Sequence, residues 1–341
     1  MNLMGKILCF GELLLRFSPA DEGQWLKTQQ LPVFLGGAEL NVATALAAWQ
    51  LPVTYCTALP ENYLSKDILL ALNERNIITD SVLSSGMRIG SYYLKQGTDL
   101  KNQSVIYDRA FSSFGELKTG MIDWDQILHD VSWFHFSAIS PALNESVAAV
   151  CLEALQAASR RNITISIDLN HRPKLWGNRN PHDVMAELLP WCDVVMGNIW
   201  SAHDLLGIPL DTHLIKPGDK SGYLEHAHQT SIRILKRFAR VKTVACTFRF
   251  EEGSEGILYY ASIYSAHRRV DSNVYEAKQI VDKVGTGDCF MAGLIHGLYN
   301  KKNPADIIQF ATSAGFGKFF EKGDSTRQEI ETILTRIKEY A

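Results

Sequence analysis

The stretch "ITISIDLNHRPKLWGNRNPHDVMAELLPWCDVVMGN" (residues 163–198) contains two short β-branched runs separated by a segment of helical period. The runs at 163–170 and 192–198 predict strands, because they are apolar and bounded by turn-forming residues. Between them, residues 181–191 carry apolar side chains at helical spacing, and Pro181 suits the first helical position. A strand, a helix and a second strand in this order predict a parallel β–α–β unit.

The same alternation recurs along the rest of the chain. Further strands are predicted at 6–11, 53–59, 131–139 and 241–248, and further helices at 38–50, 65–76 and 144–162, the last capped by Asn144. The predicted fold class is therefore α/β, with a mostly parallel central sheet and helices on both of its faces.

Three segments depart from this alternation. Residues 12–35 and 86–113 contain strand-like runs with no helical segment between them, which predicts a small antiparallel sheet serving as a lid. Residues 209–228 are rich in Pro, Gly, Asp, Lys and His, and this composition predicts an exposed loop before the helical pattern resumes.

The composition limits the class of partner. The 341 residues carry a net charge of -3 and are 46% hydrophobic, which predicts a globular chain with no affinity for nucleic acid or acidic membranes. No apolar run reaches the roughly 18 residues that a membrane span requires. The six cysteines form no CxxC pair, which favours reduced thiols and a cytoplasmic location. "HAH" at 226–228 lacks the partners of a metal site, and no metal ligand is assigned.

A glycine-rich turn, "VGTGD" (284–288), leads into an apolar helical segment. Glycines allow successive backbone N–H groups to converge on one point, and a helix N-terminus adds unsatisfied donors and partial positive charge. Such a turn can stabilise the charge that develops in phosphoryl transfer, with Asp288 taking the proton of an acceptor hydroxyl. Taken alone, the same turn is more simply explained as an ordinary helix start with Asp288 as its N-cap.

A second glycine pair supports the chemical interpretation. "GGAELNVATALAAWQL" (36–51) places Gly36 and Gly37 before a helix whose first turn carries Glu39 and Asn41. With these two motifs near opposite ends, the chain resembles the ribokinase-like (PfkB) carbohydrate kinases. Their N-terminal motif is GG-x-x-x-N, and their C-terminal motif D-T-x-G-A-G-D-x-F-x-A-G is matched by Asp282, Gly285, Gly287, Asp288, Phe290, Ala292 and Gly293.

The resemblance implies a fold and a set of site residues. It implies one domain over 1–341, a three-layer α/β/α sandwich with an inserted lid, and a kinase that uses ATP and Mg²⁺. Asp288 would be the catalytic base, and the anion hole would be formed by residues 285–288, which are Gly285, Thr286, Gly287 and Asp288. The nucleotide would lie near Asn198, Thr247, Gly256 and Ser313. A monovalent cation, K⁺, often lies near the equivalent of Asp282.

Some positions depart from the family pattern. Lys283 replaces a threonine and brings an ammonium group to the place of the K⁺ site, while Thr286 replaces an alanine. The N-x-x-E motif reads "NIWS" here, so Ser201 stands where the family has glutamate, and Asp204 is the nearest acid that could compensate. The family's T-x-G-x-x-G turn is longer in this chain, "TFRFEEGSEG" (247–256).

Two arginines suggest an acidic sugar. Arg109 lies in the second lid segment and Arg172 follows a strand, where open α/β sheets bind ligands, and two guanidinium groups suit a carboxylate. The alternative is that each makes a structural ion pair, with Asp108 or Asp168. When these arginines are combined with "SAISPAL" (137–143) and "D-x-N-x-R-x-x-L-W" (168–176), the chain resembles the 2-keto-3-deoxygluconate kinase branch of the family. The substrate residues implied by that resemblance are Gly37, Asn41, Tyr92, Tyr107, Arg109, Ile139 and Arg172.

Other functions remain open from the sequence. Fructokinase or another hexose kinase of the family is the alternative substrate class, and a catalytically inactive sugar or nucleotide sensor is the non-enzyme alternative. A dehydrogenase lacks support, because no G-x-G-x-x-G follows the first strand. Apolar lid residues, Tyr93, Val105 and Ile106, suggest a homodimer formed through the lid.

Overall fold

The computed structural model describes residues 5–19, 25–26, 30–95, 105–253 and 256–341. Parts of both predicted lid segments (20–24, 27–29 and 96–104) and residues 254–255 of the long turn lie outside the described residues. The strands are β1 (Lys6–Phe10), β2 (Leu14–Phe17), β3 (Val33–Gly36), β4 (Val53–Cys56), β5 (Ala58–Leu59), β6 (Ile77–Ile78), β7 (Leu83–Ser84), β8 (Gly90–Tyr93), β9 (Ile106–Asp108), β10 (Val131–Ser137), β11 (Thr164–Asp168), β12 (Val194–Gly197), β13 (Thr243–Glu252), β14 (Gly256–Ser265), β15 (Arg268–Asp271) and β16 (Tyr275–Ala277).

Helices follow most strands. They are α1 (Ala38–Ala48), α2 (Tyr63–Asn73), α3 (Trp124–Ile127), α4 (Ile139–Ala142), α5 (Glu145–Arg160), α6 (Pro173–Trp176), α7 (Pro181–Leu188), α8 (Ile199–Leu206), α9 (Lys220–Arg237), α10 (Thr286–Tyr299), α11 (Pro304–Gly317) and α12 (Ile330–Glu339). Two of the sequence-based start signals are confirmed: Asn144 caps α5 by accepting the Val147 N–H, and Pro181 is the first residue of α7.

The large sheet has the order β15-β14-β13-β12-β11-β10-β1-β4-β6, and β16 pairs with β14. Pairing is parallel from β6 to β13 and antiparallel at β14, β15 and β16. The predicted α/β class with a mostly parallel sheet is confirmed. The strand predicted at 53–59 is in fact two strands: β4 belongs to the large sheet, whereas β5 pairs with β7 in a separate two-stranded sheet.

Successive residues of the first strand face opposite helical layers. Leu8 and Phe10 belong to the apolar cluster that includes α5, α7 and α9, whereas Ile7 and Cys9 belong to the cluster that includes α1, α10 and α11. This alternation is what a strand covered by helices on both faces requires. The fold is therefore the expected three-layer sandwich, and all six cysteines are buried and free.

The lid is a separate four-stranded sheet of order β3-β2-β8-β9. The prediction of an antiparallel lid was wrong at its centre, because β2 and β8 pair in parallel, with Arg16 opposite Tyr92. A parallel pair needs a long connection, and here the chain passes through α1 and the main sheet between the two strands. Of the three apolar lid residues expected at the surface, only Ile106 is exposed; Val105 is buried and Tyr93 is half-buried.

The loop predicted at 209–228 is also shorter than expected. Helix α9 begins at Lys220, and Asp219 caps it by accepting the Gly222 N–H. Polar composition suggested a loop, but Leu224, Ala227 and Ile234 form a buried helical face. His226 is buried and accepts the Asp211 N–H at 2.8 Å.

The residues with a described structure contain no group of three side chains suited to hold a metal ion. Among the helices formed by those residues, none is long and apolar enough to cross a membrane.

Candidate active site

A cleft of about 670 Å³ lies at the carboxyl ends of the central strands and beneath the lid. This is where open α/β sheets bind ligands. The cleft brings together most of the residues predicted from the sequence, which are Gly37, Asn41, Tyr92, Tyr107, Arg109, Ile139, Arg172, Asn198, Thr247, Gly285, Thr286, Gly287 and Asp288. Motifs about 250 residues apart in sequence thus line one cavity.

The glycine turn forms one wall of the cleft and begins α10. Gly285 is the N-cap and has a left-handed backbone, with φ of 78°. A Cβ at this position would collide with the carbonyl oxygen of Asp324, whereas nothing lies near a Cβ placed on Gly287. Glycine at 285 is therefore required by both conformation and space. The first-turn N–H groups of α10 lie at the cleft, where they can bind an anion.

Asp288 is the third residue of α10 and is buried. Its carboxylate accepts a hydrogen bond of 2.7 Å from Asn41 Nδ2. The interpretation of Asp288 as an N-cap is wrong, because Gly285 occupies that position and α10 has no side-chain cap. Burial raises the pKa of Asp288 to about 7, while Asn41 and Arg172 act in the opposite direction.

Asn41 is a buried polar residue in the mostly apolar helix α1. Its amide nitrogen contacts Asp288, and its Oδ1 accepts a hydrogen bond of 3.0 Å from the Ser325 hydroxyl. Both ends of the side chain are therefore fixed, and the amide orientation that faces Asp288 is determined by its neighbours. Gly37 precedes the helix with a φ of 129°, and a Cβ there would collide with the Glu12 carbonyl oxygen.

The two predicted arginines differ in their partners. Arg109 is buried and paired with Glu12, at 2.7 Å from Nε and 2.5 Å from Nη2 to the same carboxylate oxygen. Asp108 pairs instead with Arg88 at 2.9 Å. Arg172 donates to the His171 carbonyl oxygen at 3.1 Å and forms no ion pair with any described residue. Its charge lowers the pKa of both Asp168 and Asp288, against the larger effect of burial.

Ser201, which stands where the family motif has glutamate, has a structural role. Ser201 and Asn198 form a capping box at the start of α8: Asn198 Oδ1 accepts the Ser201 N–H at 2.8 Å, and the Ser201 hydroxyl accepts the Asn198 N–H at 2.9 Å. Asp204, one turn further on, lies at the rim of the cleft 3.1 Å from His171 Nδ1.

Two predicted nucleotide-binding residues lie outside the cleft. Ser313 is buried on α11, and its hydroxyl donates to the Ile333 carbonyl oxygen at 3.0 Å. Gly256 begins β14, where a Cβ would meet the carbonyl oxygens of Glu252 and Ala277. Both positions are explained by packing, Ser313 under α12 and Gly256 within the β13–β14 hairpin.

Several charged residues of the cleft were missed as site residues. Arg249 on β13 lies with Nη1 3.4 Å from the Thr286 hydroxyl, and burial lowers its pKa. Asp168 ends β11, and burial together with the charge of Asp288 raises its pKa well above the ordinary value. Asp324 also lines the cleft. Two of these residues lie in segments that the sequence analysis had singled out: Arg249 in the long "TFRFEEGSEG" turn, and Asp168 at the start of "D-x-N-x-R-x-x-L-W".

Asp282 lies where the resemblance places a monovalent cation, and its neighbours in the structure are already charged groups. Its carboxylate lies 3.1 Å from Arg16 Nη2 and accepts the Gly323 N–H at 3.2 Å. The ammonium that bonds to backbone carbonyls here belongs to Lys318, which donates to Glu321 at 3.0 Å and Gly323 at 2.8 Å. Lys283 instead lines the cleft. Burial lowers the pKa of Lys318, and the charge of Asp282 opposes that effect.

The sequence matches the pfkB family of carbohydrate kinases over residues 4–329, so the chain belongs to that family. It is 26% identical to a 2-dehydro-3-deoxygalactonokinase of Haloferax volcanii, over 97% of both chains. It is 25% identical to a probable chloroplastic fructokinase of Arabidopsis thaliana, over 91% of this chain and 76% of that one. Its fold resembles the crystal structure of 2-dehydro-3-deoxygluconokinase from Thermotoga maritima, with a TM-score of 0.89 and 32% identity over 98% of this chain and 99% of the other.

The protein is therefore a carbohydrate kinase. Membership of this family implies a sugar substrate and the use of ATP, generally with Mg²⁺. The cleft is consistent with these requirements, because it combines a polar sugar-sized cavity with a helix N-terminus that suits a phosphate group.

Proposed function

We propose that the protein transfers the γ-phosphoryl group of ATP to the terminal hydroxyl of 2-keto-3-deoxy-D-gluconate, giving the 6-phosphate. One observation carries the proposal: the buried Asp288 carboxylate lies beside the Gly285 turn in a cleft that also contains Arg172. The names of two relatives, a 2-dehydro-3-deoxygalactonokinase and a 2-dehydro-3-deoxygluconokinase, support the same substrate class.

In this proposal Asp288 is the general base. A base works best when its pKa is near the operating pH, and the pKa of about 7 meets that condition. The Asn41 hydrogen bond orients the carboxylate and favours its ionised form. Asp288 would take the proton of the sugar hydroxyl as the new O–P bond forms, while the bond from the γ-phosphorus to the bridging oxygen of ATP breaks and ADP leaves.

The anion hole would consist of the backbone N–H groups of residues 285–288 at the start of α10, of which the Thr286 N–H also lies 3.4 Å from the Lys283 carbonyl oxygen. Fixed donors of this kind stabilise developing charge without reorganisation. Arg249, which lies against Thr286, adds a guanidinium to the same wall. Mg²⁺ bound with ATP would supply further charge neutralisation, and it needs no three-ligand protein cluster, because in kinases it is held mainly by phosphate oxygens and water with one or two carboxylates.

The carboxylate of the sugar acid would bind Arg172. Arg109 is already neutralised by Glu12, so the two arginines do not act as an equal clamp. Arg172 has no carboxylate partner among the described residues and can hold the substrate carboxylate by a bidentate pair. The same cleft is also lined by Tyr92, Tyr107, Gly37 and Ile139, whose flat rings and small side chains suit a sugar chain.

A panel of sugars tests the proposal. ADP formation would be measured with 2-keto-3-deoxygluconate, its galactonate epimer, fructose, ribose and gluconate, each at saturating ATP. We expect the highest kcat/KM for a 2-keto-3-deoxy sugar acid. Preference for fructose would support the fructokinase alternative, which is also the name of one of the relatives. ATP binding without consumption on any sugar would support a sensor instead.

A further inference from the structure

Arg16 lies on β2 in the middle of the lid sheet, and it is 1% exposed. Its guanidinium lies between two carboxylates, with Nε 2.7 Å from Asp324 Oδ1 and Nη2 3.1 Å from Asp282 Oδ2. The ring of Phe34 lies 4.4 Å from the guanidinium carbon. Burial works against the charged form of Arg16, but the two carboxylates outweigh it and raise its pKa.

Both carboxylates belong to the segments that shape the glycine turn. Asp282 lies three residues before Gly285 and accepts the Val284 N–H at 3.0 Å. Asp324 approaches from the other side, where its carbonyl oxygen fills the space next to Gly285. Asp282 also accepts the Gly323 N–H, so the two segments are bonded to one another. Arg16 is thus a bridge across the base of the anion hole.

The same arrangement reaches the substrate side of the cleft. The Tyr92 hydroxyl donates to Asp324, and Tyr92 lies opposite Arg16 in the parallel pair of β2 and β8. The neighbouring Ser325 donates to Asn41, whose amide contacts Asp288. These polar contacts, together with the peptide bond between Asp324 and Ser325, therefore join the lid, the glycine turn and Asp288.

We propose that Arg16 is a positioning residue that couples the placement of the lid to the geometry of the anion hole. This inference rests on the proposed function of Asp288 and the glycine turn. A planar guanidinium can contact two carboxylates at once in fixed geometry, which a lysine ammonium does only in part. When the lid covers a bound sugar, Arg16 holds Asp282 and Asp324 so that the N–H groups around Gly285 converge. Without it, the turn would be free to shift, and positional errors of about 1 Å are costly in catalysis.

The test compares Arg16→Lys and Arg16→Gln with a matched control, Arg88→Gln. Arg88 is also in the lid region and is paired with an aspartate at 2.9 Å, but its side chain is 37% exposed. The measurements are kcat and KM for sugar and ATP, sugar-independent ATP hydrolysis, and thermal unfolding. We expect both Arg16 variants to lose about tenfold or more in kcat, the lysine variant less than the glutamine variant, with KM for ATP nearly unchanged. The control should keep wild-type kcat.

A double-mutant cycle separates coupling from simple destabilisation. If Arg16 and Tyr92 act through Asp324, Tyr92→Phe should cost much less kcat in the Arg16→Lys background than in the wild type. Additive effects, or a folded Arg16→Lys variant that loses less than about threefold in kcat, would overturn the inference. Should Arg16→Gln fail to fold, Arg16→Lys and the cycle still decide. If the wild type phosphorylated none of the sugars, the proposed function itself would be wrong, and this result differs from an active wild type whose Arg16 variants keep full activity.

Discussion

Replacing Asp288 by asparagine should make the enzyme slower and the folded protein more stable. The side chain keeps its shape and its contact with Asn41 but loses the ionisable group. As the proposed base, Asp288 contributes to the transfer step, and removal of such a base typically costs about 10²–10⁴-fold in kcat. The gain in stability follows from the unfavourable burial of the charge.

Its magnitude follows from the pKa. Burial raises the pKa of Asp288 from 3.8 to about 7. The folded state therefore holds the proton more tightly than the unfolded state, and the associated stabilisation is lost as the pH rises through about 7. A difference of about three units corresponds to a cost on the order of 4 kcal/mol at pH 8 and somewhat under half of that at pH 5. Asp288→Asn should remove this cost, so its stabilising effect should be larger at the higher pH.

Urea unfolding at both pH values and a coupled ADP assay measure the two effects. Asp306→Asn is the matched control, because Asp306 is the third residue of α11, as Asp288 is of α10, but is exposed and accepts from Asn303 Nδ2 at 2.7 Å. The control should change neither kcat nor the pH dependence of stability. If Asp288→Asn kept kcat within about tenfold of the wild type, the base assignment would be refuted. If the variant were no more stable than the wild type at pH 8, the claim that burial of the Asp288 charge destabilises the fold would be refuted.

Three further changes have defined outcomes. Asn41→Ala removes a hydrogen bond to a charged group, so the acid limb of kcat/KM should move to higher pH by about 1–2 units, and an unmoved limb would separate Asn41 from the base. Arg172→Ala should lower kcat/KM for a keto-acid sugar by about 100-fold and change that for fructose little, whereas equal losses on both sugars would argue against carboxylate binding. Because Lys318 already bonds to the carbonyls beside Asp282, turnover in potassium and in choline salts should agree within about twofold, and strong activation by K⁺ would show that the ammonium does not fill that role.

Local patterns made the fold and the centre of the site predictable. Strand and helix periods identified the parallel sheet, and the two glycine motifs identified the turn and Asn41 that meet at Asp288. These features depend on residues close in sequence, so their patterns can be read along the chain without knowing the fold. The exposed composition around 209–228 misled because a partly buried helix can be polar on most of its surface.

Contacts between distant segments were not predictable in the same way. The structural alternative for Arg109 named Asp108 or Asp168 as its partner, whereas Glu12, nearly a hundred residues away, reaches it through the lid sheet. Arg16 and Asp324 lie in no recognised motif, and only the fold brings β2 and the segment after α11 together. An ion pair gives no periodic signal, so its partner becomes visible only when the strand pairing is known.

The most direct test of the proposed chemistry is the identity of the product. The protein would be incubated with ATP, Mg²⁺ and 2-keto-3-deoxygluconate, and the phosphorylated sugar would be examined by phosphorus and carbon NMR. We predict one phosphate monoester, attached to the C6 oxygen, formed in equal amount to ADP and formed at least about a hundredfold more slowly with Asp288→Asn. Phosphate at another position, or ADP formed without a phosphorylated sugar, would contradict the proposal that Asp288 activates the terminal hydroxyl of a sugar acid.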